Sequence, residues 1–259
     1  MRLVANFINQ VLFFQIPSKS FGHFKRILQI RRLRRKYKSC FTVYSLYPNA
    51  LANLCDKYGS DKGSALPSGH LYNWHPHCYT EFYELVFRNI RMNVSTVFEC
   101  GIGSSDPDLP ANMGKNAKPG ASLRVWKEYF PNAKIYGADI DSSILFIEDR
   151  ITTFQLNQLD SASIRNAFVH FDKESLDFIL DDGLHTFEAA ITLFANTNYL
   201  LSQNGIYIIE DVTPDTLKRL SNESLFTDDF VLSPIVFHER KQIQELNSLL
   251  MITRNHYKT

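Results

Sequence analysis

Val97-Phe-Glu-Cys-Gly-Ile-Gly103 is an apolar run that ends in Gly-x-Gly. The run suits a β-strand. The glycines suit a tight turn whose backbone N–H groups can approach a ligand, because no Cβ blocks the way. Such a strand and loop form half of a nucleotide-binding unit. The other half is an acid about 20 positions on, at the end of the next strand, that accepts hydrogen bonds from ribose hydroxyls. Asp139 in Ile135-Tyr-Gly-Ala-Asp-Ile-Asp141 fills that role but stands 36 residues after Gly103. The stretch 104–119, rich in Pro, Asn and Gly, reads as a loop insertion. Counted from Gly120, where helix signals begin, Asp139 is 19 residues on and the expected spacing returns.

Short β-rich runs alternate with helical stretches from residue 94 onward, the pattern of a parallel sheet with crossover helices. Strands are expected at 95–100, 133–138, 152–156, 176–180 and 205–209, and helices at 122–129, 161–168 and 186–200. Two late runs, 230–237 and 248–253, read as an antiparallel edge pair. The expected fold is α/β, a doubly wound, mostly parallel seven-stranded Rossmann-like sheet with an antiparallel edge strand. Residues 46–93 read as a helical cap, with helices near 50–58 and 79–90 around a ring-rich His70-Leu-Tyr-Asn-Trp-His-Pro-His77. That cluster either packs or faces a substrate.

Composition agrees with a globular chain: 259 residues, 44% hydrophobic and 21% charged. It excludes wholesale disorder, collagen-like repeats and a small disulfide scaffold. Cys40, Cys55, Cys78 and Cys100 form no CxxC pair, so neither a zinc site nor a disulfide framework is indicated. The net charge of +1 conceals an asymmetry. Of 28 Lys and Arg, ten precede Asp56, the first acidic residue, and the other 18 face all 27 Asp and Glu. Residues 1–45 thus form a basic arm that opens with an amphipathic pattern (Leu3, Val4, Phe7, Ile8, Val11, Leu12). Its apolar stretch is too short to cross a bilayer, and its basic cluster follows the apolar run, unlike a secretory signal. The arm either docks on its own domain or contacts an anionic membrane surface. No nucleic-acid motif accompanies it, so nucleic acid is not expected as a partner. A cytoplasmic protein is expected, peripheral on the inner membrane face if the arm binds lipid, with self-association left open.

The chemistry gathers at strand ends. The fourth strand ends in Asp181-Asp-Gly-Leu-His185 and the fifth in Glu210-Asp211. Neighbouring parallel strands therefore bring four carboxylates and an imidazole to the edge where open α/β sheets bind ligands. Like charges at close range need a cation or a shared proton, and oxygen ligands suit Mg²⁺. The third strand leads into Asn157-Gln158-Leu-Asp160, where Asp160 or Ser161 can cap the next helix while Asn157 and Gln158 meet an adenine edge.

In combination, Lys57-Tyr-Gly-Ser-Asp-Lys-Gly63, Tyr79-Thr-Glu-Phe-Tyr83, Glu99-Cys-Gly-Ile-Gly103, Ser122-Leu-Arg-Val-Trp126, 129–141, Asp181-Asp-Gly-Leu-His-Thr-Phe187 and 204–211 resemble class I S-adenosylmethionine-dependent methyltransferases, and more narrowly the bacterial sugar O-methyltransferases of macrocin and mycinamicin type. The resemblance covers about residues 50–255, which makes 94–259 the S-adenosylmethionine-binding catalytic domain. It implies that Glu99, Gly101 and Gly103 hold the methionine end of the cofactor, Asp139 the ribose, and Asn157 with Gln158 the adenine side. It assigns Mg²⁺ to Asp181, Glu210 and Asp211, with Asp182 competing for the first place and otherwise serving in catalysis. His185 is the implied base, with His70, His75 and His77 as substitutes. The acceptor would be a sugar hydroxyl of a surface polysaccharide or glycoside precursor. A nicotinamide-dependent sugar dehydrogenase or epimerase shares the glycine loop and ribose acid, but no Tyr-x-x-x-Lys pair follows the fourth strand. A non-catalytic scaffold for glycan assembly is the third reading.

Overall fold

A computed structural model describes residues 41–44, 49–63, 72, 74, 76–226, 229–238 and 248–256. The amphipathic and basic arm up to residue 40, together with His70 and His75, lies outside the described residues. The described part contains helices α1 (Ala50–Tyr58), α2 (Thr80–Phe87), α3 (Ala121–Tyr129), α4 (Ser161–Ala167), α5 (Phe187–Thr197) and α6 (Pro214–Leu220). Its strands are β1 (Phe41–Tyr44), β2 (Thr96–Cys100), β3 (Lys134–Asp139), β4 (Ile147–Glu148), β5 (Ile151–Gln155), β6 (Leu176–Asp181), β7 (Leu201–Ile209), β8 (Phe230–His238) and β9 (Ser248–Arg254).

These strands form one nine-stranded sheet in the order β1-β8-β9-β7-β6-β2-β3-β5-β4. The seven expected strands are present, and two short ones extend the sheet. β1 pairs in parallel with β8, so residues assigned by charge to the arm contribute a strand. The two-residue β4 pairs antiparallel with β5 at the opposite edge. The late pair β8–β9 is antiparallel, as its sequence predicted, and β9 also runs antiparallel to β7. α6 and β4 lie outside the expected elements, and the two residues of β4 are too few to show a period.

Successive βα units leave β2 in opposite directions, because its neighbours are β3 on one side and β6 on the other. That reversal is the switch point at which helices part and a crevice opens. Both sheet faces are covered. One face carries Val97, Ile135, Phe178 and Ile208, packed against Leu123, Trp126, Phe130 and the cap residues Leu51, Phe82, Tyr83 and Phe87. The cap is therefore a layer of the same core. On the other face Phe98 and Phe154 stack at 5.9 Å, with Phe168 edge-on to both.

Phe178 sits among four aromatic rings, Tyr83, Phe87, Trp126 and Phe130, at centroid distances of 4.8–6.3 Å. It is fully buried on a central strand, so little can collapse into its place. Phe178→Ala is expected to cost about 3–5 kcal/mol, read as a shift in the denaturant midpoint with an unchanged slope.

Candidate active site

Register aligns the chemistry before any side chain is considered. Cys100 at the end of β2 pairs with Ala138 on β3 and Asp181 on β6, and Asp181 pairs with Ile209 on β7. Asp139, Asp181, Asp182, Glu210 and Asp211 thus all leave the sheet at one edge. A cleft of about 970 Å³ opens there, lined among others by Gly101, Gly103, Asp139, Asn157, Gln158, Asp182, His185 and Asp211.

At one end of the cleft the glycine loop turns at Gly101 and Gly103, with φ of +87° and +89°. A Cβ on Gly101 would lie 2.1 Å from the carbonyl oxygen of Asp182, so only glycine fits there. Asp139 accepts the Ile102 N–H at 2.9 Å and the Asp141 N–H at 3.1 Å. Burial pushes its carboxyl up, against the pull of those two N–H groups. A carboxylate has lone pairs left after two such bonds, so hydroxyl groups of a ligand can still be held. The insertion returns to its origin: Gly120 N–H donates to the Ile102 carbonyl at 2.7 Å. Leu109 to Met113 of that excursion line the cleft, as do Ile140, Leu156 and Leu159.

Asn157 lines the cleft, and its Oδ1 accepts the Leu159 N–H, shaping the turn after β5. Gln158 is committed elsewhere. Its Nε2 donates to Asp181 at 2.6 Å and its Oε1 accepts the Leu184 N–H at 2.9 Å, tying β5 to β6. Asp160 caps α4 by accepting the Ala162 N–H.

The acids divide into two sets. Asp181 points into the protein, bonded to Gln158 and the Gly183 N–H, and does not line the cleft. Burial pushes it up to about 6, with His185 and Gln158 opposing. Glu99 is also fully buried, accepting Trp126 Nε1–H at 2.9 Å. Burial raises it to about 7 against the nearby Lys62 charge. Sequence reasoning set Glu99 against the cofactor and Asp181 against a cation. The structure places both beneath the cleft.

The second set faces the cleft. One oxygen each from Asp182 and Asp211 and one nitrogen of His185 lie within 4.8 Å of one another. His185 Nε2 is 3.9 Å from Asp211 Oδ2. Both His185 (φ 56°) and Asp211 (φ 53°) adopt the left-handed conformation that costs a side-chain-bearing residue about 1–3 kcal/mol. Both of these residues line the cleft. Tyr79 donates its hydroxyl to Asp211 at 2.5 Å.

Glu210 has different partners: Tyr83 donates to one oxygen, and the Lys62 ammonium reaches the other at 2.5 Å. Lys62 also pairs with Asp182 and lies 3.6 Å from Glu99. Burial alone would push the Lys62 amine down, and the surrounding carboxylates outweigh it and hold the ammonium charged. Burial and the Asp182 charge push Glu210 up. Lys62 was quoted in a matching motif and given no role; the acid count at the strand ends was the signal that a cation had to lie close.

A further ion pair closes the cleft near Asp211. His77 Nε2 is 3.2 Å from Asp61 and His77 Nδ1 is 3.7 Å from Asp211. Trp74 Nε1–H donates to Asp61 at 2.8 Å. Asp61, Trp74 and His77 all line the cleft, so the ring-rich cluster faces it at these described positions.

No protein-family model matches the chain. It is 33% identical over 162 residues to the 8-demethyl-8-alpha-L-rhamnosyl tetracenomycin-C 2'-O-methyltransferase of Streptomyces olivaceus, covering 62% of this chain and 37% of that one. It is 32% identical over 137 residues to the mycinamicin VI 2''-O-methyltransferase of Micromonospora griseorubida, covering 52% and 32% respectively. Both relatives are sugar O-methyltransferases by name. The chain spans about a third of the length of these relatives. Its fold matches that of the MycE methyltransferase of the mycinamycin pathway, solved with Mg, SAH and mycinamycin VI, with a TM-score of 0.57 and 25% identity over 82% of this chain and 57% of that one. Among the described residues no helix is long and apolar enough to cross a membrane.

Burial would push the His77 imidazole down, but its bond to Asp61 and the charges of Asp61 and Asp211 prevail and raise it to about 9. A raised folded-state value favours the native state fully below the unfolded value near 6.5, and that contribution fades as pH climbs through 9. Chemical denaturation is expected to show stability falling between pH 6.5 and 9 by up to about 3 kcal/mol. His77→Gln should flatten that window.

Proposed function

We propose that the chain transfers a methyl group from S-adenosylmethionine to a sugar hydroxyl of a glycoside or surface-polysaccharide precursor, assisted by a divalent cation such as Mg²⁺. The observation that carries this reading is the Asp182–His185–Asp211 group, with left-handed backbone at His185 and Asp211, facing the same cleft as Gly101, Gly103 and Asp139. The residues fit both partners. Two carboxylate oxygens suit a hard cation that keeps much of its water, and one oxygen of the adjoining buried Asp181 has no hydrogen-bond partner. The cleft volume lies in the range of ligand pockets and exceeds what one nucleoside fills.

S-Adenosylmethionine would supply an activated methyl on a sulfonium, and the cation would polarise the acceptor hydroxyl. The chain does the rest. Backbone N–H groups of the glycine loop and the Asp139 carboxylate hold the nucleoside, with Asn157 and the apolar Ile140, Leu156 and Leu159 about the base. Asp182 and Asp211 hold the cation. His185, 3.9 Å from Asp211, takes the hydroxyl proton as oxygen attacks the methyl carbon and the carbon–sulfur bond breaks. Alignment of oxygen, carbon and sulfur can account for about 7–11 kcal/mol of barrier lowering.

The reading predicts that S-adenosylhomocysteine raises the melting temperature and NAD does not; the reverse result overturns it. His185→Gln should retain S-adenosylhomocysteine binding and lower turnover on a rhamnoside by roughly 10²–10⁴-fold. Asp182→Asn and Asp211→Asn should abolish the response to Mg²⁺. Mass spectrometry of the product locates the added methyl group.

We infer also that the basic arm attaches the enzyme to anionic membrane, each basic residue contributing about 1 kcal/mol near such a surface. The ten positive residues ahead of Asp56 support this. Deleting residues 1–40, which spares β1, should release the protein from anionic vesicles while turnover on a soluble acceptor persists. Retention on the vesicles refutes it.

A further inference from the structure

Lys62 is placed with unusual rigour for a long flexible side chain. α1 stops at Gly59, whose left-handed backbone (φ 85°) turns the chain toward the cleft. The next residues are stitched to the start of α2 by three backbone bonds: His77 N–H to Asp61, Cys78 N–H to Gly63 and Thr80 N–H to Lys62, at 2.8–3.0 Å. The residue is 2% exposed. Its ammonium enters the acid group from below and contacts Asp182 and Glu210 together, with Glu99 at 3.6 Å. Asp182 therefore belongs to two arrangements at once: partner of Lys62, and member of the Asp182–His185–Asp211 trio.

We infer that Lys62 is a built-in competitor of the divalent cation: its ammonium occupies Asp182 and Glu210 and so weakens cation binding at the cleft. The inference rests on the cation-assisted reading above and adds a determinant of how tightly the cation is held. The argument is electrostatic. A divalent ion that shares Asp182 with an ammonium meets a like charge in a partly desolvated site, where repulsion is several-fold stronger than in water. The same ammonium lets the acids stay together when no metal is bound. Without it, Glu210 and Asp182 would face each other uncompensated, a costly arrangement beneath a cleft. Lys62 thus trades cation affinity for a preformed site.

The test is titration of the full chain with Mn²⁺, followed by electron paramagnetic resonance without methyl donor or acceptor. Lys62→Gln is expected to bind Mn²⁺ at least tenfold more tightly than the parent, and Lys62→Arg, which keeps the charge, to bind as weakly as the parent. In Lys62→Gln, adding Glu210→Gln should remove part of the gain, because the freed Glu210 carboxylate contributes to it. Melting gives a second readout. The variant should melt lower than the parent in chelator and regain more stability than the parent on adding Mg²⁺. A lysine of purely structural importance would lower both melting temperatures equally. If Lys62→Gln does not fold, Lys62→Met with Glu210→Gln removes the charge pair and is read in the same way.

Equal or weaker Mn²⁺ binding by the variant overturns the inference and leaves the cation-assisted reading intact. Absence of binding in parent and variant overturns both. Stabilisation by S-adenosylhomocysteine then reports separately on methyl transfer.

Discussion

Charge compensation governs this molecule. Parallel register delivers Glu99, Asp181, Asp182, Glu210 and Asp211 to one sheet edge, and Asp61 joins them from the loop after α1. Carboxylates so close must be protonated, paired or bridged. The structure uses each remedy at a different depth. Deep in the protein, burial raises Asp181 and Glu99 toward neutrality. At mid-depth Lys62 supplies one positive charge for several acids. At the cleft, one atom each of Asp182, His185 and Asp211 lie within 4.8 Å of one another.

The cap layer follows from the same constraint. Tyr79 and Tyr83 are fully buried, yet their hydroxyls donate to Asp211 and Glu210. Burial and those neighbouring carboxylates raise both phenols, which therefore remain donors. α2 thus packs its aromatic rings into the sheet core and extends its hydroxyls to the acids. Packing and electrostatics are served by the same side chains, which explains why residues 46–93 do not form a separate unit.

The sheet was legible in the sequence because its strands are apolar runs that end in chemically distinctive residues. Gly101, Asp139, Asp181 and Glu210 each mark a strand end, and the register follows once the strands are parallel. Asp139 stands 36 positions after Gly103, and the excursion at 104–119 accounts for the excess spacing. Pairings across the fold were harder to foresee. Adjacent acids Asp181 and Asp182 are identical in type, and only the alternation of a strand decides that one faces Gln158 within and the other the cleft. Lys62, 120 residues from Asp182 along the chain, carried no periodic signal. Glu99 is buried and bonded to the indole of Trp126, a partner that its place in the glycine motif does not announce.

The bond from Gly120 to Ile102 has a consequence for how such a cleft can diversify. The chain departs from the glycine loop at Ser104 and rejoins it within one hydrogen bond of its departure point. The sixteen-odd residues between behave as a side room with a single doorway. Loop closure costs grow only slowly with length, so this room can be enlarged, trimmed or refurnished while the glycine turn at 101–103 keeps its place.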